Sequence, residues 1–501
     1  MKRVGRFHEK EGDDEALWLR RKRRFFVAIH KQSIYCIPLN FISTIIKTTH
    51  IKKQVSIIGG GPAALFLACK LDPEKFKVTI YEKNNALARK FLVAGKGGFN
   101  LTHSENAKQF VEKYSPKDKL QHVFEQFDNS YFIHWLNSIG IETLIGSSKR
   151  VFPKKGTKPI EVLNAIEKEL KKRNVEVKFG VEFNGWDGAS ASLSNHASAK
   201  FILSPVERLS NHASASLSNH ASASLSNQAS DGVYLEHSRK AHGQNRSLSE
   251  VETPGRGNDI TIFALGGGSW KVTGSDGSWL KHFEEMGIDT VPFQASNCAF
   301  KVEWNSEILK KLDGKAIKNA VFSCGSKKIM GEAVITQFGM EGSGVYPLSG
   351  SIRESLAEIG KAYVHIDLKP DITEEVIFRY LKNKGDENIK DILISKIKLS
   401  DIAFQLIKLS TTKEEYHSPE FISQLIKKFP VTVTGLAPID EAISTVGGIP
   451  FEELNSNFEL KKLPNTYCIG EMVNWDAPTG GYLLQMCFSM GFYLGEYLNK
   501  K

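Results

Sequence analysis

The stretch Val55-Ser56-Ile57-Ile58-Gly59-Gly60-Gly61-Pro62-Ala63-Ala64, continued by Leu65-Phe66-Leu67-Ala68, decides how this chain is read. Its apolar start reads as a buried parallel strand, its glycines as a turn and its alanine- and leucine-rich end as a helix. Gly59, Gly61 and Ala64 have the spacing of a dinucleotide-binding turn. The first glycine makes the bend, and the second lets backbone N–H groups approach a pyrophosphate. Ala64 is small enough for the helix to pack closely on the strand. The helix start at Pro62-Ala63 then turns its unpaired N–H groups and its dipole toward the anion. Gly-rich turns also occur in βαβ units that bind nothing, so the flanking sequence has to agree.

Asp72-Pro73 breaks the helix, and Val78-Thr79-Ile80-Tyr81-Glu82 reads as a second strand. Glu82 ends that strand about 20 residues after the turn, where an acid binds the ribose hydroxyls of an adenosine half and disfavours a 2′-phosphate.

A chain of 501 residues is long enough for two or three domains, and 24% charged residues is ordinary for a soluble enzyme. The net charge of +10 invites a nucleic-acid reading. However, the first 54 residues hold 13 Lys and Arg against 5 Asp and Glu, which leaves the rest close to neutral. Nucleic acid is therefore not the expected partner. Six cysteines without a C-x-x-C pair point to a reducing, cytoplasmic setting, with neither a disulfide framework nor a structural zinc. Arg20 to Arg24 followed by Phe25 to Ile29 has the outline of a signal or anchor. His30, Lys31 and Gln32 interrupt it, so no membrane span is expected.

After Glu82, the loop carrying Arg89, Lys90 and Ala94-Gly95-Lys96-Gly97-Gly98-Phe99-Asn100-Leu101-Thr102-His103 suits a wrapping around a phosphate-rich ligand. Arg89 and Lys90 offset pyrophosphate charge in this reading, and Asn100 and Thr102 offer hydrogen bonds to a ring edge. By composition alone, a solvated basic loop fits equally well.

The loop from Ala94 to His103 resembles the signature of the BaiN-like (YhiN-type) FAD flavoproteins, within the two-dinucleotide-binding-domain group. Arg150-Val151-Phe152-Pro153 is similar to that family's R-V-F-P segment. Ala264-Leu265-Gly266-Gly267-Gly268-Ser269-Trp270 with Thr273 to Gly277 resembles a further block, and Gly331-Glu332 through Thr336, Gly339 and Gly342 another. Gly470-Glu471-Met472 with Ala477-Pro478-Thr479-Gly480-Gly481-Tyr482-Leu483-Leu484-Gln485 resembles its closing flavin motif. Asn474 departs from the pattern, standing where relatives tend to have Asp. The resemblance implies FAD as cofactor and NAD(P)H as a transient electron donor. Motif and resemblance together assign cofactor contacts to Gly59, Gly61, Pro62, Ala63, Ala64, Glu82, Lys83, Arg89, Lys90, Gly97, Gly98, Asn100, Leu101, Thr102, Val181, Ala264, Leu265, Gly266, Gly470, Glu471, Gly480, Gly481, Tyr482, Leu483 and Leu484.

The expected fold is α/β: a Rossmann-like FAD-binding domain with an inserted β-rich domain and a helical subdomain. Residues 1–51 read as a disordered basic extension. Residues 52–186, 259–294 and 463–501 form the FAD-binding domain, 295–368 and 431–462 the β-rich domain, and 369–430 the helical subdomain. Residues 187–258 depart from the family. The octapeptide Ala215-Ser216-Leu217-Ser218-Asn219-His220-Ala221-Ser222 recurs there, and one leucine per repeat cannot bury a core, so this segment reads as a disordered surface insertion. Ile260 to Leu265 returns to a buried strand ending in Gly266-Gly267-Gly268. No apolar helix follows at Ser269-Trp270, so this is not a second dinucleotide turn.

The resulting expectation is an FAD-dependent oxidoreductase passing hydride from NAD(P)H to a small organic substrate, with an activated carbon–carbon double bond as the resemblance-based guess. An RNA-binding or RNA-modifying flavoprotein and a flavin-bound redox sensor without turnover are the alternatives. No catalytic residue is singled out among His103, Tyr346 and Tyr482.

Overall fold

Five parallel strands carry the site. The computed structural model describes residues 25–30, 33–38, 52–93, 99–187, 198–203 and 259–501. Lys53–Ile58 lies between Ile260–Phe263 and Phe76–Glu82, with Thr466–Cys468 and Glu176–Phe179 at the two edges. Val55 to Ile58 and Ile260 to Phe263 are buried at every position. A strand covered on both faces is buried at successive positions, so even the polar Ser56 and Thr261 are taken out of water.

The first helix, Pro62–Lys70, leaves the turn with proline at its start and ends at Leu71, ahead of Asp72-Pro73. The C-terminal helix, Tyr482–Lys500, packs along it. A Cβ on Gly491 would lie 2.8 Å from both Ala63 O and Leu67 N, so a side chain there would hold the helices apart. This backbone-level crossing brings the start of the last helix to the same sheet end as the Gly59–Gly61 turn. Gly470, after the last strand, approaches within 2.9 Å of Ala63 Cβ by the same measure.

The β-rich part is a closed barrel of six strands, running in the order Phe300–Val302, Gly339–Glu341, Lys327–Ile335, Ala316–Cys324, Ala362–Asp367 and Phe429–Leu436. The helices between 374 and 427 share one core with it, Ile377, Ile407 and Ile426 being buried with Ile366 and Val433. Ile449, Leu454, Phe458 and Leu460, expected with the β-rich part, are instead buried in the core of the parallel sheet.

Two segments expected to be irregular contain strands. Phe25–His30 and Ser33–Pro38 pair as an antiparallel hairpin, in keeping with their β-branched and aromatic residues. The rest of 1–51 lies outside the described residues. Within 187–258, Ser198–Leu203 pairs antiparallel with Val181–Asp187, and Phe201 stacks on Tyr81 at 5.0 Å. Lys200-Phe201-Ile202-Leu203 has the apolar content that the repeats lack. The repeats after Leu203 lie outside the described residues. Gly266-Gly267-Gly268 leads only into the single 3-10 turn Lys271–Thr273, with Trp270 in the left-handed region, and so starts no second dinucleotide fold. Among the described residues, no helix is long and apolar enough to cross a membrane.

Candidate functional site

The turn after the first strand is held from three sides. Gly59 donates its N–H to Tyr81 O at 2.8 Å, and its φ of +99° is one that glycine adopts without penalty. A Cβ there would collide with Ala264 O at the end of the neighbouring strand. Gly60 N–H donates to Glu82 Oε2 at 2.8 Å, a buried bond that ties the turn to the end of the second strand. The other carboxylate oxygen of Glu82 accepts from Asn84 N at 2.8 Å and Asn84 Nδ2 at 2.6 Å. Glu82 thus shapes the turn from below and is fixed in place by it.

The first helix has no side-chain cap. Pro62 has no N–H, so Gly61, Ala63 and Ala64 present the backbone donors that a helix start leaves unpaired. They point where the dipole favours an anion.

The basic residues after the second strand are already engaged. Lys83 Nζ pairs with Asp276 at 2.9 Å, and Arg89 Nη1 donates to Asn84 Oδ1 at 2.7 Å. Lys90 Nζ donates to Ser269 Oγ at 2.8 Å and pairs with Glu471 at 3.1 Å. Glu471 also accepts from Thr445 N at 3.1 Å, while Thr445 Oγ1 accepts from Gly268 N at 3.1 Å. Lys90 and Glu471 therefore join the end of the Ile260–Phe263 strand to that of the last strand.

At the second turn, Thr102 is fully buried and donates to Gln485 Oε1 at 2.7 Å. Gly481 packs on the Thr102 backbone with no room for a Cβ. Tyr482 stacks on His103 at 5.3 Å, and its hydroxyl donates to Glu105 Oε1 at 2.5 Å. Burial, then the hydrogen bond and charge of Glu105, push the Tyr482 phenol above its ordinary range. Burial also lowers the His103 pKa, against the opposing pull of Glu105. Tyr346 stands apart on the barrel side, pushed up to about 12 by burial and by the charge of Glu341.

Asn297 fixes the approach to this second turn. It is buried, with φ at +52°, and its Oδ1 accepts from Thr479 N at 3.1 Å. Its Nδ2 donates to Ala477 O at 2.7 Å and to Ser444 Oγ at 2.8 Å. Asp476, next to it, pairs with Arg353 at 2.6 Å and accepts from Ser296 Oγ at 2.7 Å.

Of the residues singled out in the sequence, Gly59, Gly61 to Ala64, Glu82, Ala264 to Gly266 and Gly470 gather around the first turn. Asn100 to Thr102 and Gly480 to Leu484 gather around the second, with Leu483 and Leu484 half-buried. Val181 follows Gly180, whose N–H reaches Asn84 O at 3.4 Å, and so lies beside the Glu82 end. Gly97 and Gly98 lie outside the described residues. Asn297, Arg353 and Asp476 carry no signal of this role in the sequence, since the side-chain partners through which they act lie 50 or more positions away.

These residues fit FAD. A Cβ on Gly61 would meet nothing nearer than Ala264 O at 3.9 Å, so the protein's own packing does not require glycine there. The space beside it is what a pyrophosphate approaching the backbone needs. The C-terminal helix, like the first, starts without a side-chain cap, at Gly481. Trp270 Nε1 is buried without an acceptor among the described residues, in the loop following Gly268.

The chain is similar to known proteins over most of its length. It is 22% identical over 462 residues to the 3-dehydro-bile acid delta(4,6)-reductase of Clostridium scindens, covering 88% of this chain and 98% of that one. It is 19% identical over 443 residues to the ribosomal RNA dihydrouridine synthase of Haemophilus influenzae, covering 87% and 96%. A solved structure of 3-ketosteroid delta1-dehydrogenase from Sterolibacterium denitrificans matches at 10% identity and a TM-score of 0.42, covering 90% of this chain and 100% of that one. The HI0933-like protein Rossmann domain model matches residues 53–205 and 213–497, and the chain belongs to that family.

Proposed function

We propose that NAD(P)H is the electron donor of this FAD-dependent oxidoreductase, and that its substrate is a small organic molecule with an activated carbon–carbon double bond. The observation that carries the cofactor assignment is the pair of uncapped helix starts, at Gly61 and Gly481, at one end of the parallel sheet. The bond type is favoured by the names of two relatives with different substrates. Delta(4,6)-reductase and dihydrouridine synthase both denote the saturation of a carbon–carbon double bond.

FAD, when bound, supplies the two-electron chemistry. The chain's own residues bind, orient and shield. Gly61, Ala63 and Ala64 would offer N–H groups to the pyrophosphate, and Glu82 would take the ribose hydroxyls. The Gly480–Tyr482 turn offers a helix dipole to the electron-rich edge of the ring system. Asn297 holds that turn through Ala477 and Thr479, and Asp476, bonded to Ser296 and Arg353, fixes the segment that leads into it. At neutral pH the Tyr482 hydroxyl keeps its proton, donated to Glu105.

One relative's name places its reaction on ribosomal RNA, and the basic first 54 residues favour a second reading in which the double bond belongs to a uridine in RNA. The five described cysteines are all free thiols, which supports a reducing, cytoplasmic setting.

The test is the absorption spectrum of the purified protein under anaerobic conditions, before and after NADH or NADPH. Bands near about 450 nm that bleach with nicotinamide, and recover on adding a carbonyl-conjugated alkene, are the expected result. A flavin band that nicotinamide leaves unchanged would sink the donor assignment. Recovery only with a uridine-containing RNA would select the second reading.

A further inference from the structure

Arg150 begins the strand Arg150–Pro153 and stands directly opposite His103 across the ladder. Residues opposite one another in an antiparallel pair project from the same face. Its guanidinium lies along the second turn, since a Cβ on Gly480 would be 3.3 Å from Nε and 3.9 Å from Cζ. The positive charge bears on both His103 and Tyr482. Lys113 adds a second positive charge acting on His103.

No acceptor among the described residues takes a hydrogen bond from this half-buried guanidinium. The carboxylate in its neighbourhood, Glu105, accepts instead from the Tyr482 hydroxyl. The other half-buried arginines each make at least one hydrogen bond: Arg89 to Asn84, Arg173 to Leu71 O through Nη1, with its Nε unmet among the described residues, and Arg353 to Asp476. A guanidinium has five donors and no acceptor, and leaving them unmet in a half-buried setting is costly. Its planar fork matches two oxygens of a carboxylate or a phosphate.

We propose that Arg150 is the anion-binding residue for the substrate, gripping a carboxylate or phosphate group of a small organic molecule beside the Gly480–Gly481 turn. The assignment rests on the reading that this turn faces the reacting part of FAD. It makes the substrate an anion whose double bond is placed over the ring system by its charged end.

The test uses the full-length, FAD-loaded, oxidised protein without nicotinamide, so failure of the donor assignment does not affect it. Benzoate, phenyl phosphate and the neutral benzamide are titrated separately, and perturbation of the flavin absorption band is read. Benzoate or phenyl phosphate should bind while benzamide does not, and whichever binds more tightly identifies the anion. Arg150→Gln should weaken that binding about tenfold or more, and Arg150→Lys, which keeps the charge without the fork, by less. If Arg150→Gln fails to retain FAD, weakened anion binding in FAD-loaded Arg150→Lys still supports the assignment, and unchanged binding overturns it. Equal binding of benzamide, or no anion binding, overturns it. So does a shifted flavin midpoint potential in Arg150→Gln with unchanged anion affinity, which would assign the guanidinium to the cofactor.

Discussion

Glu82 has a structural role beside its proposed role toward the ribose. Its carboxylate accepts the Gly60 N–H and both Asn84 donors, and among the described residues Gly60 N–H has no other acceptor. Glu82→Ala should therefore lower stability by about 1–3 kcal/mol, the usual cost of leaving a buried donor unmet. Glu82→Gln, which keeps one carbonyl oxygen, should lose less. Urea unfolding measures the first effect, and FAD retained after gel filtration tests the proposed ribose contact, since both variants lose the carboxylate charge. His103 carries a pH dependence of definite sign. Burial disfavours its charged form, so the folded state takes up a proton less readily than the unfolded chain, whose histidine titrates near about 6.5. Below that value the unfolded state binds more protons, and stability falls with pH from about 7 toward about 5. A His103→Asn variant should show a shallower fall in thermal midpoint over that range. An equal slope would place the pH dependence elsewhere.

Between elements, the turn that starts the C-terminal helix is shaped as much by the barrel side as by its own sequence. Among the described residues Asn297 makes five hydrogen bonds, donating to Ser349, Ser444 and Ala477 and accepting from Ile443 and Thr479. Asn297→Ala would strip the Ala477 carbonyl and the Thr479 N–H of their partner while leaving the Gly59–Gly61 turn untouched. The expected outcome is faster FAD release, read as flavin fluorescence appearing on dilution, with a lower thermal midpoint. Asn297→Asp keeps an acceptor for Thr479 and should release FAD more slowly than the alanine variant. If all three proteins release FAD alike, the clamp does not govern the turn. Legibility from sequence divides along the same line. The Val55 to Ala64 turn and the Glu82 strand end were readable because strand, bend and helix follow one another within some 30 residues of one βαβ unit. Gly480 to Leu484 could be recognised by resemblance, but not what holds it. Asn297 reaches it across 182 positions, and a lone asparagine in the left-handed region carries no periodic signal. Arg150 was visible as part of a motif, yet only the fold reveals that Gly480 lies beside it. The strand Ser198–Leu203 was masked by the repeats around it, because composition averaged over a segment hides six residues that can pair.

At the scale of the whole chain, the charge and the chemistry separate in sequence. The basic excess lies within the first 54 residues, whereas the family match starts at residue 53 and the larger compact unit at Lys53. Every residue assigned to the two turns belongs to that larger unit. Removing residues 1–51 should therefore leave the flavin spectrum, the thermal midpoint and reduction of a small conjugated alkene unchanged. Its effect should appear in salt-dependent binding to nucleic acid. Every cation that neutralises a phosphate of single-stranded RNA adds about 0.7 to the log–log salt slope, so a tail that supplies several such cations leaves a clear difference when it is removed. Full-length and truncated protein titrated with single-stranded RNA between about 50 and 200 mM salt measure it directly. A steep slope that flattens on truncation, with small-molecule turnover intact, assigns RNA affinity to the tail and small-molecule chemistry to the enzyme. A slope that survives truncation would put the phosphate-binding cations on the catalytic body. There Arg150 and Lys113, whose charges act on His103, are candidates, and uridine in RNA would replace the small molecule as the substrate.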